Sequence, residues 1–123
     1  MGARTSRDCD GASFAGSVDH PVVVGAETVH FRGRQVLDAT LDSLLGAGLK
    51  DANLLIVNGC SAGGLAVYLH LDYIASRMPA GVRVVGAPEC GFFMDLPHAD
   101  GSPGYTNTYQ NVAEMQNVTG SVL

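Results

Sequence analysis

The chain has 123 residues, 46% of them hydrophobic and 15% charged, with 16 glycines and a formal net charge of −5. This is the composition of a globular, turn-rich domain and excludes a disordered chain. With no basic patch to offset the acidic balance, nucleic acid and anionic membrane are poor partner candidates, and the apolar runs are too short and too broken to span a bilayer.

The N-terminal stretch Met1-Gly2-Ala3-Arg4-Thr5-Ser6-Arg7-Asp8 lacks an apolar run and does not read as a signal peptide. Met1-Gly2 with Ser6 fits a loose myristoylation pattern, which one acyl chain makes only a marginal anchor. Residues 9–30 read as turn-rich, with a small hairpin from Val22-Val23-Val24 and Thr28-Val29-His30-Phe31 around Gly25-Ala26-Glu27. From Arg32 to Leu45 the period becomes helical, with Leu37, Leu41, Leu44 and Leu45 on one stripe, so a half-buried helix lying on a sheet is expected. Arg34 and Asp38, four apart, are placed to pair, and Gly46 and Gly48 stand where a C-cap belongs.

Leu54-Leu55-Ile56-Val57 is continuously apolar, the pattern of a strand covered on both faces. Residues 62–78 are apolar nearly all round, which predicts a buried helix ended by Pro79-Ala80-Gly81. Val82-Arg83-Val84-Val85-Gly86 is the next strand, which completes a parallel βαβ unit within a sheet of about three strands. Residues 95–111, rich in Asp, Gly, Pro, Asn and Tyr, read as a surface loop, with a helix beginning at Val112. The fold class is therefore α/β.

Between strand and helix stands Asn58-Gly59-Cys60-Ser61-Ala62-Gly63-Gly64. Gly-x-Ser-x-Gly in that setting is the nucleophile elbow of an α/β-hydrolase, where Gly59 and Gly63 keep side chains off a tight turn and Ser61 stands exposed. Complete folds of that kind run to roughly 200 residues or more, so this chain reads as a single incomplete domain. Ester hydrolysis at Ser61 needs a base, an acid to orient it and backbone donors for the oxyanion. In this architecture the order is serine, acid, histidine. Spacing alone allows Ser61, Glu89 and His98 as an internal triad, His98 being the candidate base. His70, nine residues along the helix, should point away from the elbow as a packed or surface histidine. His20 and His30 read as structural, and Asp95 and Asp100 as loop-turn residues. His98 with Asp100 is too little for a metal site, and no cofactor is expected.

Cysteines at 9, 60 and 90 form neither a zinc ribbon nor a dense disulfide framework. One disulfide with a leftover thiol and three free thiols fit equally. Cys60 is expected to be a small buried filler. Asn117-Val118-Thr119 is a glycosylation sequon, meaningful in a secretory pathway.

Four blocks, Cys9-Asp10-Gly11-Ala12-Ser13-Phe14-Ala15-Gly16, Phe31-Arg32-Gly33, Gly59-Cys60-Ser61-Ala62-Gly63-Gly64 and Glu89-Cys90-Gly91-Phe92-Phe93, resemble successive blocks of the pectin acetylesterase family over residues 8–119. The animal relative Notum is a more distant match. The resemblance implies a secreted serine carboxylic-ester hydrolase that removes O-acetyl groups from a cell-wall polysaccharide. Carried over by position, Ser61 matches the nucleophile, the Ala62 N–H an oxyanion donor, and Asp10 and Gly11 a positioning block beside the site. The family's oxyanion loop lies upstream of the Cys-Asp-Gly block, and its acid and histidine lie well beyond the elbow. The match is thus to a middle segment. A non-catalytic fragment or degenerate copy, and a Notum-like protein carboxylesterase, are the alternative readings.

Overall fold

The computed structural model describes residues 2–8 and 10–122; the disulfide state of Cys9 lies outside them. Two strands, β1 (Val22–Val24) and β2 (Glu27–Val29), form the expected antiparallel hairpin. Its two-residue connection starts at Gly25, whose φ of 63° suits a residue without a Cβ. Helix α1 (Gly33–Gly46) follows. It stops where Ala47 N–H and Gly48 N–H bond back to Leu44 and Leu45 carbonyls, with Gly48 at φ 105°. A 3₁₀ turn (Leu49–Asp51) leads into β3 (Leu54–Cys60), α2 (Ala62–Arg77) and β4 (Arg83–Glu89).

β3 and β4 pair in parallel from Leu54↔Arg83 to Cys60↔Glu89, the expected βαβ unit. Helix α2 presses on β4 at Gly86, where a Cβ would meet Leu71 Cδ2 at 2.7 Å and Val67 Cγ1 at 3.0 Å. Two expectations are corrected. The parallel sheet has two strands rather than about three, because the hairpin forms a sheet of its own. β3 is covered on one face only: α2 covers Leu55, Val57 and Gly59, while Leu54 and Ile56 stay 49% and 53% exposed.

The polar side-chain partners of α1 lie on α2, on Ser17 (from Gln35, 3.3 Å) and on the Ser121 carbonyl (from Arg34) rather than on the sheet. Arg34 pairs with Asp38 at 3.3 Å, as the spacing predicted, and its guanidinium lies 3.6 Å from the Tyr73 ring centre. Tyr73 Oη donates to Asp38 at 2.6 Å, and Arg77 donates to Tyr73 Oη at 2.7 Å and to Asp42 at 2.5 Å.

After β4 the loop reading needs a third correction. Helix α3 spans Thr106–Met115, beginning six residues before Val112. Asp95 is the reason: its carboxylate accepts the Thr106 N–H at 3.0 Å and also the Thr106 hydroxyl. It thereby caps from eleven residues upstream a polar first turn that has no local cap. A short α4 (Thr119–Val122) ends the described chain. This C-terminal segment clamps onto the loop of residues 10–18. Gln116 donates to the Asp10 carbonyl at 2.8 Å, Asn117 to the Ser17 carbonyl at 3.0 Å, and Ser121 to the Ala15 carbonyl at 2.5 Å.

Candidate active site

β3 ends at Cys60 and α2 begins at Ala62, so Ser61 alone turns the chain from strand to helix. It does so at φ 55°, ψ −117°, a strained combination for a residue with a side chain. Two hydrogen bonds hold it there: Ser61 N–H donates to the Glu89 carbonyl, and Leu65 N–H donates to the Ser61 carbonyl, each at 3.0 Å. The turn is tight enough that a Cβ on Gly59 would overlap the Gly63 carbonyl and stand 2.8 Å from Gly63 Cα. A Cβ on Gly64 would stand 2.8 Å from the Glu89 carbonyl oxygen. A Cβ on Gly63 would meet nothing within 4 Å, so the second glycine required by space is Gly64, not Gly63. Ser61 is exposed.

The loop that follows from Asp10 docks on this turn through Ser13. Asp10 Oδ1 accepts Ala12 N–H and Oδ2 accepts Gly16 N–H, both at 3.0 Å, while Asp8 accepts Asp10 N–H and Ser13 N–H at 3.1 and 3.0 Å. These bonds over-determine a turn in which Ser13 and Phe14 have φ of 53° and 63°. Burial, then the neighbouring Asp8 carboxyl, raises the Asp10 pKa. For Asp8, burial pulls upward but is outweighed by hydrogen bonds from the Asp10 side chain and from backbone N–H groups, and its pKa is lowered. Asp10 thus organises a loop, its carboxylate bonded to the Ala12 and Gly16 N–H groups. Gly11, at φ 75° with open space around it, serves that loop through its backbone freedom.

Ser13 carries the loop to the turn, donating its hydroxyl to the Ala62 carbonyl at 2.8 Å. The Ser13 carbonyl meets His70 Nε2 at 2.9 Å, so this nitrogen carries the proton. His70 is 1% exposed and its Nδ1 has no partner among the described residues. Burial lowers its pKa below 6.5; the Ser13 bond opposes the shift and Arg34 adds to it. The expected packed histidine is what stands here, bonded to the residue that ties the loop to the turn. Ser13 escaped assignment from sequence because a serine reaching across 49 positions leaves no local pattern.

The internal triad is not assembled. Ser61 Oγ makes no hydrogen bond to His98 or Glu89 among the described residues. His98 is held in an exposed turn by its backbone, its N–H donating to the Ser102 carbonyl at 2.9 Å. Glu89 meets Ser61 through its carbonyl instead of its carboxylate. Cys60, expected to be buried, is exposed, because it ends β3 on the uncovered face. One turn beyond Ser61, Leu65 and Leu69 of α2 line an apolar cavity of about 420 Å³ with Ala12, Phe93, Tyr109 and Val112. No group of three or more His, Cys, Asp or Glu among the described residues could hold a metal ion, and no described helix is long and apolar enough to cross a membrane.

Comparison with known sequences adds the family. The profile described as Pectinacetylesterase matches residues 5–122. The chain belongs to the pectinacetylesterase family. It is 37% identical to pectin acetylesterase 5 of Arabidopsis thaliana over 94% of this chain and 27% of that protein. Pectin acetylesterase 4 of the same plant is 31% identical over 94% of the chain and 28% of its own length. Human palmitoleoyl-protein carboxylesterase NOTUM is 36% identical over 53% of the chain and 14% of its own length. The chain therefore spans about a quarter of the pectin acetylesterases it matches.

Proposed function

We propose that this chain carries the nucleophile segment of a carboxylic-ester hydrolase of the pectin acetylesterase type, acting on O-acetyl groups of a cell-wall polysaccharide. The observation that carries this reading is the single-residue strand-to-helix junction at Ser61, with a strained backbone and an exposed side chain. Ser61 Oγ attacks the ester carbonyl, the sugar hydroxyl leaves, and water then releases acetate from the acyl-enzyme. The developing oxyanion takes a hydrogen bond from Ala62 N–H, at the start of a helix whose first amides have no side-chain cap. Gly59 keeps the turn closed. The base and acid come from parts of the whole protein outside these residues. We place that protein outside the cell; fractionation of the tagged full-length protein checks it.

The test is hydrolysis of p-nitrophenyl acetate by the full-length protein. Ser61→Ala is expected to cut kcat/KM by roughly 10³-fold or more, and equal rates for the two would overturn the reading. A second reading is a non-catalytic remnant, since no base among the described residues is bonded to Ser61 Oγ. If the full-length protein is folded yet takes no fluorophosphonate label at Ser61, the remnant reading holds. The apolar cavity beside the turn supports a third, a Notum-like esterase for longer acyl chains. A kcat/KM higher for octanoate than for acetate esters would select it.

A further inference from the structure

Cys60 is the last residue of β3, and Cys90 is the first after β4. The register pairs Cys60 with Glu89, so Cys90 stands one residue away on the diagonal. With strands about 4.8 Å apart and a rise of about 3.3 Å per residue, the two Cα atoms are separated by about 5.8 Å. Disulfides use Cα separations of roughly 4.4–6.8 Å. In a strand that simply continued, Cys90 would face the opposite side of the sheet from Cys60. It does not continue, because Cys90 has φ 56°, which breaks the alternation. The Cys60 thiol titrates above its ordinary 9.0, first because of its side-chain interaction with Cys90, then through loss of water and the nearby negative charges. Both cysteines are free and exposed. They also bracket the bond from Ser61 N–H to the Glu89 carbonyl that ties the turn to β4.

We propose that Cys60 and Cys90 are a redox pair that closes to a disulfide across the ends of β3 and β4 and staples the Ser61 turn to β4. A low-molecular-weight disulfide such as oxidised glutathione is the oxidant. One protein thiolate attacks it and releases one thiol; the second protein thiolate displaces the other. The protein loses two protons and two electrons, and the oxidant becomes two thiols. Nothing in this step requires Ser61 to be catalytic.

The test is incubation of the folded chain with oxidised glutathione or with dithiothreitol, alkylation and tryptic mapping. Cleavage places Cys9, Cys60 and Cys90 in separate peptides, 8–32, 51–77 and 84–123. The expected product is 51–77 linked to 84–123, with Cys9 alkylated and the same link formed in Cys9→Ser. The linked chain should melt roughly 5–10 °C above the reduced one. Separate glutathione adducts on Cys60 and Cys90, or a link through Cys9, would overturn the proposal. So would a linked chain whose Tm equals that of the reduced one.

Discussion

Ser61 keeps its strained backbone because its neighbours leave no room to relax: Gly59 touches Gly63, and Gly64 touches Glu89 of the adjoining strand. Gly64→Ala drives a Cβ against backbone atoms. Its gain in helix propensity, about 1 kcal/mol, is smaller than the overpacking cost, so a net loss of about 2 kcal/mol is expected. Gly86→Ala meets instead the ends of the Leu71 and Val67 side chains, which can shift, and should cost about 1 kcal/mol or less. Denaturant midpoints of the two variants check the ranking. His70 sets a pH dependence. Its folded pKa lies below 6.5 through burial, so as pH falls the unfolded chain takes the proton first. The stability it contributes is complete above 6.5 and is lost as pH drops through the folded value. His70→Gln, which can donate to the Ser13 carbonyl but cannot be charged, should flatten the decline in denaturant midpoint between pH 7 and 5. At this scale the glycine-flanked serine was legible because a one-residue turn needs small neighbours close in sequence. Gly64, Ser13 and the bond partner of the packed His70 were not, because Glu89, Ala62 and the Ser13 carbonyl are brought close to them only by folding.

Each element that the pattern identified has its reason in local periodicity, and the misjudged start of α3 has a long-range bond behind it. α1 and α2 follow their apolar spacing, and Arg34 with Asp38 follows the four-residue rule. α3 does not, because its cap is Asp95. The Thr106 hydroxyl and amide lower the Asp95 pKa, consistent with a carboxylate at a helix N-terminus. Asp95→Ala should fray the first turn. Hydrogen-exchange protection of the first α3 amides is expected to fall by roughly fivefold, while that of α2 stays unchanged. Equal loss in both helices would mean that Asp95 supports more than the cap.

Taken whole, the chain is closed on one side of β3–β4 and open on the other. Its buried apolar residues are few among those described: Ala12, Ala15, Val18, Leu41, Val67 and Ile74. They sit where the N-terminal loop, α1 and α2 meet. The opposite face presents Leu54 and Ile56, and β3 and β4 are both edge strands, a template for association. The isolated chain is therefore expected to self-associate and to bind a hydrophobic dye. Ile56→Thr should lower both at under about 1 kcal/mol of stability. Val67→Ala, at a site 2% exposed, should cost about 2 kcal/mol. The reverse order in urea unfolding would contradict this packing.

The sequence by itself determined the α/β class, the helix and strand periods, the parallel βαβ unit and the turn at Ser61, because each rests on residues within one or two turns of each other. Only the tertiary structure decided what surrounds that turn. It brought the Asp8–Asp10 loop onto Ala62 through Ser13, buried His70 beneath it, set Cys90 beside Cys60, and left His98 and Glu89 without a bond to Ser61 Oγ. These juxtapositions depend on strand register and on left-handed backbone at Ser13, Phe14 and Cys90. Packing forces such backbone on residues whose own preferences point elsewhere.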